Sequence, residues 1–190
     1  MRRLFVLILC MFVAHVYAQE SSDSIIFRVN KSGVFKSIVG SVGFDHYIIY
    51  FDGKTAHDLY NDVLMRVSRK YVSPDNVTDK IEDRSIVVNS RIEEFIETQS
   101  KKYGNREWFD FFYRLEFNFK DGKIKVFAPS IVGGRIRTGA RTLAHASYYP
   151  DNFVLMALIE DDAPKVSILE KYLNDILTYI VYGDHEEENW

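Results

Sequence analysis

The sequence predicts an α+β fold, in which an antiparallel sheet carries two amphipathic helices on one face. Residues 115–126 alternate apolar and polar side chains on both sides of Asp121-Gly122, as the two strands of a hairpin do. Residues 55–71 and 163–182 each carry apolar residues at helical spacing. A sheet with one apolar face and two helices with one apolar stripe each bury these surfaces by packing together.

The N-terminus has the pattern of a secretory signal peptide. Met1-Arg2-Arg3 is a short basic start, residues 4–14 are apolar without interruption, and cleavage is predicted after Ala18. The apolar run is shorter than the roughly 20 residues that a membrane-spanning helix needs. We expect residues 1–18 to be removed and residues 19–190 to form one domain with no membrane span; retention as an anchor is the alternative.

Cleavage would also remove the only cysteine, Cys10. The mature chain would then have no disulfide and no cysteine-ligated metal. Loss of Arg2 and Arg3 would change the formal net charge from −3 to −5, and a negative charge disfavours binding to nucleic acid. These features predict an exported protein of the bacterial periplasm or cell surface.

Short strands are predicted before the first helix. Residues 24–29 form one, residues 34–50 form two around a glycine turn, and residues 47–51 are the clearest of them. The helix then begins at Thr55, with Asp58 as its capping-box partner. Its apolar stripe continues to Tyr71.

The segment after this helix is predicted to be mainly extended. Residues 79–89 carry a strand centred on residues 86–88, with a shorter strand around Ile81. Residues 91–98 are compatible with either a helical turn or a strand. Residues 100–107 are polar and predict a loop.

The hairpin at residues 115–126 has the most specific prediction. A two-residue Asp-Gly turn of type I′ would place Lys120 opposite Lys123, Phe119 opposite Ile124 and Phe117 opposite Val126. Every apolar side chain then lies on one face of the sheet. The polar side chains face water on the other, namely Glu116, Asn118, Lys120, Lys123 and Lys125.

The C-terminal third is predicted less completely. Residues 130–150 have no clear period, and residues 151–160 form an apolar run that suits either a buried strand or a short buried helix. A second helix begins near Asp162 or Ala163, with Pro164 in its first turn and Gly183 ending it in left-handed geometry. Asp161-Asp162 is explained by this helix start.

No motif for catalysis, metal or cofactor binding is found. The four histidines of the mature chain are not clustered, no serine occurs in a nucleophile elbow, and no phosphate-binding glycine pattern is present. We therefore expect no catalytic residue, no metal and no cofactor. Carboxylates that meet only in the folded chain are not excluded.

Two places are candidates for binding a partner. One is the polar face of the hairpin. The other is the glycine- and arginine-rich stretch 133–141, which is predicted to be a mobile, solvated loop and whose arginines suit bidentate recognition of phosphates or carboxylates. Its candidate contact residues, with two tyrosines that follow, are Arg135, Arg137, Arg141, Tyr148 and Tyr149.

The segments YIIYFDGKTAHDLYNDVLMRVSRKYVSPDNV, DRSIVVN and YRLEFNFKDGKIKV carry a resemblance to a known family. Together with the signal peptide, they resemble a domain-of-unknown-function family with a TBP-like fold, found in exported proteins of Bacteroidetes-type bacteria. The resemblance covers residues 47–130 and, less specifically, 163–182. It implies a curved antiparallel sheet with helices on one face over a core of about residues 47–182, to which this chain adds N-terminal strands. It implies no catalytic residue.

The function predicted from these observations is that of an exported, non-catalytic binding or assembly module. Its partner would be a protein, a peptide or a small ligand, and not nucleic acid. The alternative is a small periplasmic hydrolase whose carboxylates are brought together only by the fold. The sequence indicates neither the identity of the partner nor the oligomeric state.

Overall fold

The computed structural model describes residues 24–39, 42–100, 104–138 and 145–183. The predicted signal peptide (residues 1–18), residues 19–23, Arg141 and residues 184–190 lie outside these ranges. The strands are β1 (Phe27–Val29), β2 (Phe35–Val39), β3 (Val42–Phe44), β4 (His46–Tyr50), β5 (Thr78–Ile81), β6 (Ser85–Gln99), β7 (Arg106–Lys120), β8 (Lys123–Phe127), β9 (Ser130–Thr138) and β10 (His145–Pro150). The helices are α1 (Ala56–Lys70), α2 (Pro74–Val77), α3 (Phe153–Asp162) and α4 (Val166–Tyr182), and a 3₁₀ turn, Ala163–Lys165, joins α3 to α4.

The α+β prediction is confirmed: the strands form two antiparallel sheets. The main sheet has the order β10-β9-β7-β6-β5, and β8 pairs with the second half of β7 and carries β4 on its other side. β9 pairs with the first half of β7. The extra N-terminal strands are present as a separate sheet in the order β1-β2-β3.

The hairpin register is confirmed at every predicted pair. Lys120 lies opposite Lys123, Phe119 opposite Ile124 and Phe117 opposite Val126. The turn type was wrong, because only Gly122 of the two central residues has a positive φ (71°). The Asp121 carboxylate instead accepts a hydrogen bond from the main-chain N–H of Ala56 at 2.8 Å, so the turn is held against the start of α1.

The capping box of α1 is confirmed. The Thr55 hydroxyl accepts a hydrogen bond from the Asp58 N–H at 3.2 Å, and the Asp58 carboxylate accepts one from the Thr55 N–H at 2.9 Å. At the other end of the chain, Gly183 has a φ of 86° and donates to the Tyr179 carbonyl. Its ψ of −174° is not the predicted left-handed helical geometry.

One hydrophobic core lies between the main sheet and the helices. Inward-facing residues of β6, β7 and β8 meet the apolar stripes of α1 and α4 there. Helix α3 covers the same face of the sheet at β9, β10 and the neighbouring parts of β7 and β6. The fully buried members of this core include Phe109, Phe111, Leu115, Phe117, Val63, Val67, Leu155, Leu158, Leu169, Leu173 and Leu177. We call the opposite face of the main sheet the outer face.

Several segments left open by the sequence are now assigned. Residues 91–98 belong to β6, and the apolar run 151–160 forms α3. Residues 130–150 contain β9 and β10. Strand β9 corrects the predicted mobile loop over residues 133–138, and the rest of that loop, residues 139–141, lies outside the described ranges. Asp161-Asp162 ends α3, and Asp162 makes no capping hydrogen bond at the turn that follows, so the capping explanation was wrong.

Candidate functional site

The outer face of the main sheet holds a buried carboxylate. Alternate residues of β7 point away from the helices, and Asp110 is one of them, yet its exposed fraction is 0%. In the β7–β9 register Asp110 lies opposite Arg135, and Trp108 lies opposite Arg137. Two of the predicted contact residues are therefore placed beside one buried acid.

Both arginines form ion pairs with this carboxylate. Arg137 Nη2 lies 2.6 Å from Asp110 Oδ1, and Arg135 Nε lies 2.8 Å from Asp110 Oδ2. The side chain of Arg135 is 22% exposed and that of Arg137 is 18% exposed. A buried charge is tolerated only when it is paired, so these guanidinium groups serve first to neutralise Asp110.

Further charges extend this pairing along the outer face. Arg135 Nη2 lies 2.7 Å from Glu93, and Arg91 Nε lies 3.4 Å from the same carboxylate oxygen. The Arg135 guanidinium also lies 5.9 Å from the Phe112 ring centroid and 5.7 Å from that of Tyr148. Positive and negative charges alternate here, and we call Asp110, Arg135, Arg137 and Glu93 the arginine cluster.

The glycines before these arginines have a packing role. A Cβ on Gly134 would overlap the carbonyl oxygen of Asp110 and lie 2.9 Å from Val154 Cγ2 on α3. Gly133 has a φ of 155°, and a Cβ there would lie 3.1 Å from the Tyr149 carbonyl. The missing side chains let β9 approach its neighbours and α3 closely, which explains why this glycine-rich segment is a strand.

The two predicted tyrosines lie on opposite faces of β10. Tyr148 is 67% exposed and lies on the outer face beside Arg135. Tyr149 points to the helix side, where its ring stacks on Phe153 with centroids 4.5 Å apart. Tyr148 therefore borders the arginine cluster, and Tyr149 contributes to packing around α3.

A second surface lies on the outer face where β8 pairs with the second half of β7 and with β4. Lys120, Lys123 and Lys125 lie there, on the polar face that the hairpin pattern predicted. The Lys123 ammonium is 6.0 Å from the Tyr50 ring centroid, and that of Lys125 is 4.4 Å from the Phe127 centroid. Within the described ranges, none of the three lysines forms an ion pair with a carboxylate.

Exposed apolar side chains border these lysines on the edge strand β4. Tyr50 is 71% exposed and pairs in register with Lys123, and Ile48 is 47% exposed and pairs with Lys125. We call Lys120, Lys123 and Lys125, with Tyr50 and Ile48, the lysine surface. The alternation of the hairpin identified the lysines, whereas the pairing of β4 with β8 joins residues far apart in sequence and had no local signal.

The fold also brings two carboxyl groups together that are distant in sequence. Glu107 is 8% exposed on β7, and it interacts with Asp161 at the end of α3. Burial, followed by the hydrogen bond and the charge of Asp161, raises the pKa of the Glu107 carboxyl. Residue 107 was predicted to lie in a polar loop, so this acid was missed as an interior group.

The histidines whose side chains are described pair with single carboxylates. His57 on α1 lies 2.8 Å from Asp83, and this hydrogen bond, with the charge of Asp83, raises the pKa of His57. His46 lies 2.7 Å from Asp45. Among the residues that the structure describes, no three His, Cys, Asp or Glu side chains are grouped as a metal site would require.

None of the helices in the described ranges is long and apolar enough to cross a membrane.

No family model and no curated protein matches the chain. Among solved structures, it is similar to a TBP-like protein from Parabacteroides distasonis ATCC 8503, with a TM-score of 0.46 and 9% identity over 73% of this chain and 92% of that one. The α+β class of the chain rests on its own strands and helices.

Proposed function

We propose that this protein is an exported, non-catalytic binding or assembly module of the bacterial periplasm or cell surface, and that it holds its partner on the lysine surface. The observation that carries the proposal is that Lys120, Lys123 and Lys125 form no ion pair with any described carboxylate and lie beside exposed Tyr50 and Ile48. A group of like charges without counter-charges lowers the stability of a sheet when the charges lie opposite each other, as Lys120 and Lys123 do. An anionic partner would remove this repulsion.

The arginine cluster suits this role less well. Its guanidinium groups already bind Asp110 and Glu93, so a partner would have to compete with short ion pairs to a buried acid. Tyr148 remains accessible at the edge of the cluster. The structure thus favours the hairpin face over the arginine-rich stretch as the place where a partner binds.

The proposed location is supported by the N-terminal pattern and the charge. The basic start and the apolar run of residues 4–14 are those of an export signal. The whole chain has a net charge of −3, whereas this surface carries three lysines that pair with no described carboxylate. An electrostatically complementary partner would be steered to this surface.

The test is affinity capture from an envelope extract with matched charge variants. We expect the wild-type protein to retain a stoichiometric partner, and the K123E/K125E variant to lose it. The control, K31E/K171E, changes two exposed lysines elsewhere by the same charge and should retain the partner. Equal capture by all three proteins would contradict the proposal.

One observation favours a second candidate, a small hydrolase. Glu107 and Asp161 meet only in the fold, and a carboxyl group with a raised pKa beside another carboxyl is typical of acid–base catalysis. Turnover of chromogenic glycosides or esters that is abolished in E107Q would support the hydrolase. Our proposal expects no turnover by either protein.

A further inference from the structure

A cavity of about 240 Å³ opens where β8 and β9 part from each other along β7. One wall is formed by Phe127, Ala128 and Pro129, which connect the two strands. The opposite wall is formed by Val34 and Phe35 at the start of β2. The N-terminal sheet thus closes the cavity against the main sheet.

The lining of this cavity suits an apolar group. The five residues of its two walls are apolar, three of the four charged residues in its lining are paired, and the fourth is the half-buried Lys36. Arg114 lies 3.3 Å from Glu116, and Asp45 lies 2.7 Å from His46. An apolar side chain gains most from contact with the five apolar residues, because their surfaces are then removed from water.

The cavity is continuous with the lysine surface. Phe127 lines the cavity, and the Lys125 ammonium lies 4.4 Å from its ring centroid. Strand β8 carries Phe127, Lys125 and Lys123 as alternate residues, so all three point to the same face. Each is about 6.6 Å along the strand from the next. The apolar site and two cations therefore follow one another along a straight line.

We infer that the partner on this surface is an extended, acidic polypeptide segment with an apolar side chain that enters the cavity. An extended chain repeats its side-chain direction every two residues, with the same spacing of about 6.6 Å. Carboxylates two and four residues from the apolar side chain would then lie over Lys125 and Lys123. This inference rests on the proposed function and names the chemistry of its partner.

The spacing and the cavity together favour a polypeptide over other anions. A polyphosphate has no apolar group to fill the cavity. An anionic bilayer presents a plane of headgroups and uses neither the spacing nor the depth of the site. The three lysines pair with no carboxylate in the described part of the chain, and acidic residues in the segment would complement their charge.

The probe is a fluorescein-labelled peptide of matched spacing, with the core Leu-Ser-Glu-Ser-Glu, made in both chain directions. A peptide of the same composition with the core Leu-Glu-Ser-Glu-Ser places its carboxylates on the other side. We expect the better direction of the matched peptide to bind about tenfold more tightly than the shifted one in fluorescence anisotropy. The K123E/K125E variant should lose about tenfold in affinity, and K31E/K171E less than about twofold.

Filling the cavity tests the apolar contact separately. Val34 is 42% exposed, so V34W adds a ring at the rim without disturbing the core. We expect V34W to bind the matched peptide about fivefold more weakly than the wild type does. Replacement of the peptide's Leu by Ala should also weaken binding to the wild type by about fivefold, but it should not weaken binding to V34W further.

Three outcomes would overturn the inference. If V34W and the Leu-to-Ala peptide bind normally while K123E/K125E does not, the lysine surface stands and the apolar anchor is wrong. If matched and shifted peptides bind equally, the extended register is wrong. If neither peptide binds but phosphatidylglycerol vesicles bind the wild type and not K123E/K125E, the partner is a lipid surface, and only the proposed role of the lysines survives.

Discussion

Asn174 on α4 forms two hydrogen bonds with the main chain of Phe27 on β1. Its Oδ1 accepts from the Phe27 N–H at 2.9 Å, and its Nδ2 donates to the Phe27 carbonyl at 3.0 Å. One turn away on either side, Glu170 accepts from the Val29 N–H and Thr178 from the Ile25 N–H. Four helical residues rise about 6.0 Å and two strand residues about 6.6 Å, so the two repeats match. Helix side chains thereby satisfy the free edge of β1, a device that protects an edge strand.

Replacement of Asn174 by alanine tests this attachment. Both Phe27 groups are buried, so N174A leaves a donor and an acceptor unpaired and should lower the free energy of unfolding by about 2–3 kcal/mol. T178A removes one longer, partly buried hydrogen bond and should cost about 1 kcal/mol or less. Urea denaturation measures both, and equal effects of the two variants would mean that Asn174 has no special role.

The arginine cluster predicts a strong effect at Asp110. D110N removes the carboxylate that faces two guanidinium groups in a buried site, and we expect a loss of about 3 kcal/mol. D79N, at an exposed residue of β5, is the control and should cost less than about 0.5 kcal/mol. A loss below 1 kcal/mol in D110N would show that the arginines do not depend on this acid.

The packing of β9 under α3 predicts that Gly134 cannot accept a side chain. In G134A the added methyl group meets the Asp110 carbonyl and Val154, so either β9 or α3 must move. We expect a loss of about 2–3 kcal/mol or a failure to fold. G43A, on β3, places a Cβ at an ordinary 3.4 Å from Lys36 Cβ and should be tolerated. Thermal unfolding of both variants distinguishes this packing effect from a general effect of glycine replacement.

The raised pKa of Glu107 predicts a pH dependence of stability. The folded protein retains this proton above the ordinary pKa of 4.5, so the stabilisation is complete below that value and is lost as pH rises through the folded pKa. E107Q keeps a neutral hydrogen-bonding group and should become more stable than wild type as pH rises from 4 to 8. E82Q, at an exposed site, should follow the wild-type profile. A constant difference between E107Q and wild type over this range would contradict the assignment.

The elements predicted correctly are those whose signals are local. The hairpin needed only the Asp121-Gly122 turn and the alternation beside it, and α1 needed only its capping box and stripe. Residues 91–98 were left open between a helical turn and a strand because Ile92 and Ile96 lie four positions apart, a spacing that places two residues on one face of either element. Both residues are buried in β6, which has a bulge between them.

The conformations of the arginine-rich stretch and of α3 depend on contacts with residues that are distant in sequence. The conformation of β9 follows from its pairing with β7 and from Asp110, 25 positions before Arg135. α3 is apolar on several sides because it packs beneath the sheet and against α4, so its sequence has no stripe. No local sequence pattern indicates that Glu107 and Asp161 interact in the folded protein. The alternation of the hairpin predicted that its lysines share one face, but only the fold shows that they pair with no described carboxylate.

Chemical-shift mapping locates the bound peptide on the protein. In ¹⁵N–¹H spectra of the wild-type protein titrated with the matched peptide, we expect shifts at residues of β4 and β8, with Lys123, Lys125 and Phe127 among the largest. The signals of the arginine cluster should move little. Saturable shifts centred on Arg135, Arg137 and Tyr148, with β8 unchanged, would show that the partner binds at β9 and β10 and not at the lysine surface.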